Sequence, residues 1–252
     1  MTLATVRRVQ GRYAASDSAC QSLGRAGQAA YARACNAENR GLRGAVEAAR
    51  LEFQQLLAAS TGNADIQAWL LVSLAELETR SGNPTVAENH YRSALALAPD
   101  DYARLGLVDV LLDNGRPAQA LALTDAMPRN DAVLVRRAIA AKRAGAPSAS
   151  SDAAEPRERF DQTAQREQLQ SARDTAVRRH AREQAMFALW VEERADLALV
   201  LARENASWQR EPFDVLLLAH AVRTSGPAQA LREAHQLQLD MGLHDVRISS
   251  IR

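Results

Sequence analysis

Two stretches of the chain carry the same punctuation. Residues 81–101 read SGNPTVAENHYRSALALAPDD, and residues 114–130 read NGRPAQALALTDAMPRN. Each passes a Gly, runs on through an Ala-rich amphipathic segment and closes at a Pro. Before Gly82, Leu71, Leu74 and Ala75 recur at i, i+3 and i+4, one face of a helix. After it, Ala87, Tyr91, Ala94 and Leu95 make a second face. Gly82 and Asn83 form the turn, and Pro99 cannot continue the helix. The unit is a helix–turn–helix of about 34 residues.

Weaker echoes recur along the chain. Leu107, Val108 and Leu111 precede Gly115; Ala120 and Leu121 follow it, with Thr124 at the place of the aromatic and Met127-Pro128 at the close. Gly41 is followed by Val46, Arg50 and Phe53. Gly11 is followed by Tyr13, Ser16 and Cys20, and Gly226-Pro227 by Ala230, Ala234 and Leu237. Composition agrees with tandem hairpins. Ala and Leu dominate and aromatics make up only 4%. That mix favours helix over strand and builds a thin core with close helix–helix approach.

The unit resembles the tetratricopeptide repeat. Ala87 and Ala94 match the small residues where helices cross, Tyr91 the aromatic, and Pro99 the terminal proline. One departure is Trp69, two residues ahead of Leu71, where the family's Trp belongs. The resemblance implies an all-α fold, a right-handed α-solenoid of antiparallel helix hairpins. About six hairpins are expected, the first lacking its first helix. Residues 1–144 form the N-terminal hairpins. The stretch 145–155, GAPSASSDAAE, reads as a linker or inserted loop. Residues 156–252 carry further hairpins continuous with the first array, with helices near 178–191, 193–205, 211–224 and 227–240.

Cys20 and Cys35 are the only cysteines. A turn near Gly24–Gly27 sets them at similar heights on two antiparallel helices, so a disulfide is plausible; two buried free thiols are the alternative. A bridge there implies an oxidising compartment such as a periplasm, with any signal peptide upstream of this chain and a cytoplasmic location as the alternative. Residues 1–12 have no apolar core or cleavage site, and no apolar run of 18 or more residues exists for a membrane span. Lys142 is the one lysine; the rest of the basic set is arginine, read as a coding bias that points to a bacterium.

No arrangement for catalysis, metal or cofactor stands out. His90, His180, His220, His235 and His244 form no ligand motif, and no P-loop, G-x-G-x-x-G or G-x-S-x-G occurs. The densest basic runs are RRAIAAKR at 136–143 and RRHAR at 178–182, with Arg166 and Arg173 upstream. Glu167, Asp174 and Glu183 interleave with the second run, which suits a solvated helix face better than a phosphate track. Net charge is +1, without the basic excess of a nucleic-acid binder.

In the family that this chain resembles, the first helices of successive hairpins line a concave groove that holds a peptide or protein. Carried over by position, the groove residues are Trp69, Val72, Glu76 and Arg80; then Tyr102, Leu105, Asp109 and Asp113; then Val135, Arg136 and Ile139. The set mixes apolar residues with both charge signs. It lacks the paired basic residues of carboxylate-clamp adaptors, so a C-terminal peptide carboxylate is not the expected ligand. The expected function is a non-catalytic scaffold for a protein or peptide partner. The alternatives are a nucleic-acid-binding array using the Arg runs, or an accessory domain of an enzyme extending upstream. Oligomeric state is left open by the sequence.

Overall fold

The computed structural model describes residues 2–170, 181–226 and 228–251. Among these residues every regular element is a helix, and the helices pair into seven antiparallel hairpins. They are α1 (Thr2–Val9) with α2 (Tyr13–Arg25), α3 (Ala29–Leu42) with α4 (Val46–Ala59), and α5 (Ala64–Arg80) with α6 (Pro84–Leu97). Next come α7 (Asp101–Asp113) with α8 (Pro117–Thr124), α9 (Asp131–Ala144) with α10 (Ala149–Gln170), and α11 (Ala181–Trp190) with α12 (Ala195–Ala206). The seventh pair is α13 (Pro212–Ser225) with α14 (Ala228–Met241), and a short α15 (Val246–Ser249) follows.

The first four hairpins turn by one piece of backbone chemistry. Gly11, Gly44, Gly82 and Gly115 take φ of 71°, 93°, 78° and 68°, a conformation that a side chain would strain. The residue after each returns its N–H to the carbonyl five positions back: Arg12 to Arg7, Ala45 to Arg40, Asn83 to Glu78 and Arg116 to Leu111. This closure satisfies carbonyls that the helix end leaves open. Pro84 and Pro117 then start the second helices, where a missing N–H costs nothing. The first helices α5, α7 and α9 are started by Asn63, Asp100 and Asn130, whose side chains accept from Ile66, from Tyr102 and Ala103, and from Val133.

The core is thin and continuous. One apolar cluster extends from Tyr13 to Ile251, and a second joins Phe53 to Leu70, Leu74 and Leu77 across α4 and α5. Arginines clamp successive hairpins. Arg50 grips Glu78 (2.5 and 3.1 Å), Arg136 grips Asp109 (2.7 and 2.8 Å) and Arg182 grips Asp214 (2.6 and 2.8 Å), each through two hydrogen bonds. Cys20 and Cys35 form a disulfide between α2 and α3, with Cα atoms 5.6 Å apart.

Several expectations change. The first hairpin keeps its first helix, shortened to the eight residues of α1. Gly41 is not a turn residue. It is buried inside α3, where a Cβ would lie 2.7 Å from Leu77 Cδ1, and the turn follows at Gly44. Gly226 ends α13 in an extended conformation (φ −98°) rather than a left-handed one. The expected loop at 145–155 is short. Helix α10 already begins at Ala149, held by Ala153 in the core and by Arg137 reaching Asp152 at 2.7 Å.

Candidate functional site

An inner helix of a stacked array meets neighbours on both sides and its own hairpin partner behind. Only one narrow stripe, at i, i+3 or i+4, is left to face the concave side. On α5 that stripe runs through Trp69, Val72, Glu76 and Arg80. On α7 it runs through Tyr102, Leu105 and Asp109, and on α9 through Ala132 and Arg136. The stripes converge on a single cavity of about 690 Å³.

Eight of the positions expected from sequence therefore share one wall: Trp69, Val72, Glu76, Arg80, Tyr102, Leu105, Asp109 and Arg136. Three do not. Val135 and Ile139 are 0% and 1% exposed and belong to the apolar core. On α9 the stripe that faces the cavity passes through Ala132 and Arg136, and Val135 and Ile139 lie outside it. Asp113, at the end of α7, faces Arg247 of α15 at 3.5 Å.

The concavity is enclosed from the far side by both ends of the chain. Arg8 and Val9 of α1, Glu38 and Leu42 of α3, and Arg182, Glu211 and Phe213 from the last two hairpins complete its lining, with Arg247. Two backbone hydrogen bonds fasten this closure: Arg210 N–H to Val9 O (2.6 Å) and His244 N–H to Leu42 O (2.7 Å). The tail also lies on the hairpin turns. Met241, His244 and Val246 pack on Gly11, Gly44 and Gly82. Tyr102, 62% exposed, is among the residues that line the cavity.

The residues on α1 and α3 were within reach of the same stripe rule, since Thr5 and Val9, and Glu38 and Leu42, are each spaced i, i+4. The closing residues of α13 and α15 had no sequence signal, because their contacts cross most of the chain.

The walls are apolar with charged groups set into them in pairs. Arg8 meets Glu38 at 2.5 Å, Tyr102 donates its hydroxyl to Glu76, and Arg182 binds Glu211. Arg247 meets Asp245 at 2.7 Å. Burial pushes the Glu38 carboxyl up to about 7, against the opposing pull of Arg8. Burial also raises Glu76. The Glu76 charge, then burial, raises the Tyr102 hydroxyl.

Arg80 is different. It is 7% exposed, and neither a hydrogen bond nor an ion pair reaches its guanidinium among the described residues; its buried Nε–H has no acceptor. The hydroxyl of Tyr13, 4% exposed on the same cavity wall, is likewise unmatched.

The basic run at 136–143 is spent inside the fold. Arg137 binds Asp125 and Asp152, Lys142 binds the Val191 carbonyl and Glu193, and Arg143 reaches the Leu112 carbonyl and lies over the Trp190 ring at 5.5 Å. Of the second run, Arg182 is an inter-hairpin clamp; Arg173, Arg178, Arg179 and His180 lie outside the described residues. His220 packs edge-on against Trp190, and burial lowers it to about 4. Among the described residues no group of three His, Cys, Asp or Glu is placed to hold a metal, and no helix is long and apolar enough to cross a membrane.

No curated protein matches the chain. Residues 78–144, from the last turn of α5 through α9, match the family model described as tetratricopeptide repeat. That segment holds the glycine turns at 82 and 115, the Tyr91 aromatic between Ala87 and Ala94, and part of the cavity wall. Residues 78–144 are thus tetratricopeptide repeat in pattern, and the hairpins on either side of them repeat the same helix–turn–helix unit.

Proposed function

We propose that the protein is a non-catalytic interaction scaffold that holds a segment of a protein partner, or a peptide, in its concave side. Tetratricopeptide repeats are typically non-catalytic scaffolds, which supports the class. The observation that carries the reading is the convergence of the open stripes of α5, α7 and α9 on one half-open cavity. Apolar surface from Val72, Leu105, Trp69 and Phe213 supplies contact area, and the fixed charges around it select among sequences. The nucleic-acid alternative loses its basis at 136–143, where every cation already has an internal partner.

The test places a photo-cross-linking amino acid at Leu105, in the cavity, and separately at Leu51, on the outer surface. A partner captured from Leu105 and not from Leu51, and lost when Glu76→Arg is added, is the expected result. The same adducts from both positions, or adducts indifferent to Glu76→Arg, would refute the concave-side reading.

A further inference from the structure

One guanidinium on the cavity wall, that of Arg80, keeps a buried Nε–H without an acceptor, although the charges of Glu38 and Glu76 act on it. Of the arginines on its lining, Arg8, Arg136, Arg182 and Arg247 each make an ion pair with a carboxylate, whereas Arg80 makes none among the described residues. The carboxylates nearest to it are engaged elsewhere: Glu38 with Arg8, and Glu76 with the Tyr102 hydroxyl. A guanidinium that is 7% exposed with an unmatched Nε–H is costly to keep unless something accepts from it. The Tyr13 hydroxyl is a second unmatched buried group on the same wall, and its electrostatic neighbours include Arg80 and Arg8.

We propose that Arg80 and Tyr13 form a carboxylate-binding subsite on the wall of the concavity. The proposal rests on the reading of that concavity as a binding surface and names the chemistry that it selects. A guanidinium fork beside a phenol hydroxyl suits a planar oxygen pair of single negative charge. A phosphate dianion fits worse, because Glu38 and Glu76 stand close enough to Arg80 to repel a doubled charge. Leu42, and Val72 and Trp69 farther along α5, give the same cavity apolar surface for the body that carries the acid. Tyr13 remains a neutral donor throughout, since burial pushes its hydroxyl up to about 12.

The carboxylate belongs either to a small free acid or to an acidic side chain of a bound peptide, and matched probes separate the two. One arm compares phenylacetate with phenylacetamide by saturation-transfer NMR. The other compares N-acetyl-Leu-Glu-Leu amide with its Gln counterpart by calorimetry. In at least one arm the acid binds roughly tenfold tighter than its neutral twin, as expected for one charge-assisted contact in a desolvated site. Arg80→Gln abolishes that preference, and Tyr13→Phe reduces it. Arg80→Lys, which keeps the charge and loses the fork, restores part of it. Helicity by circular dichroism confirms that each variant is folded.

Acid and neutral twin binding alike in both arms, no binding of either acid, or a preference that survives Arg80→Gln would overturn the proposal. The cross-linking experiment above is independent of these outcomes. A carboxylate preference without any Leu105 adduct removes the protein-partner reading alone.

Discussion

Glu38 shows how the enclosure changes the chemistry of a single group. Burial raises its carboxyl to about 7; Arg8 on α1 and Arg80 on α5 pull it down, while Glu76 on α5 and Glu211 ahead of α13 push it up. A carboxyl with a raised folded pKa holds its proton more tightly folded than unfolded. Its contribution to stability is therefore complete below its ordinary value of 4.5 and is lost as pH rises through about 7. His220, lowered to about 4 by burial, works in the opposite sense over part of that window. The difference between a variant and the parent isolates Glu38. Glu38→Gln gains on the parent between pH 5 and pH 7.5, by up to about 3 kcal/mol. Urea unfolding at the two pH values measures it, and a gap independent of pH would contradict the assignment. At this scale Glu76, Arg80, Tyr102 and Asp109, carried over by position from the repeat that the chain resembles, lie on the cavity wall. Val135 and Ile139 lie in the core because the cavity-facing stripe of α9 passes through Ala132 and Arg136, a register that the weak repeat pattern there does not fix.

At the scale of elements, most of the architecture was legible because each hairpin is written locally. Gly at the turn and the Ala–Tyr–Ala crossing of α6 with α5 are short-range signals. Their physical cause is visible at Gly106 of α7: a Cβ there would lie 2.5 Å from the Tyr91 ring, so the aromatic is accommodated by a missing side chain on the next hairpin. The segment 145–155 misled because its small polar residues resemble a linker, whereas Arg137 and a buried Ala153 draw it into α10. Local closure also fixes the cost of opening the N-terminal hairpins. The Cys20–Cys35 bridge closes a loop with a sequence separation of 15, worth about 3 kcal/mol in the chain-entropy account. Mild reduction, or Cys20→Ala with Cys35→Ala, lowers Tm by roughly 6–12 °C. An identical melt with and without reductant would show that the bridge does not hold this end of the array.

A repeat array normally has two independent ends, with each unit sensing only its neighbours. Here the ends meet. Leu243, Ile248 and Ile251 are buried, Met241, His244 and Val246 lie on the turns of the first three hairpins, and Arg247 joins Asp245 to Asp113. Asp245 is fully buried, so removing its cation leaves an uncompensated charge that costs about 3–5 kcal/mol. Burial still raises Asp113 to about 6 despite Arg247, so its carboxyl rises further once the guanidinium is gone. Arg247→Ala therefore lowers Tm by roughly 10 °C. It also loosens the opposite end of the chain. Hydrogen exchange accelerates at the turns around Gly11, Gly44 and Gly82, more than two hundred residues away in the first case, and the scattering radius grows as the cavity opens. Accelerated exchange confined to α13–α15, with an unchanged radius, would mean that the ends touch without supporting each other. The coupled result would make enclosure of the concavity a property of the whole ring of hairpins, so that a ligand bound at Arg80 stabilises the N-terminal and C-terminal hairpins together.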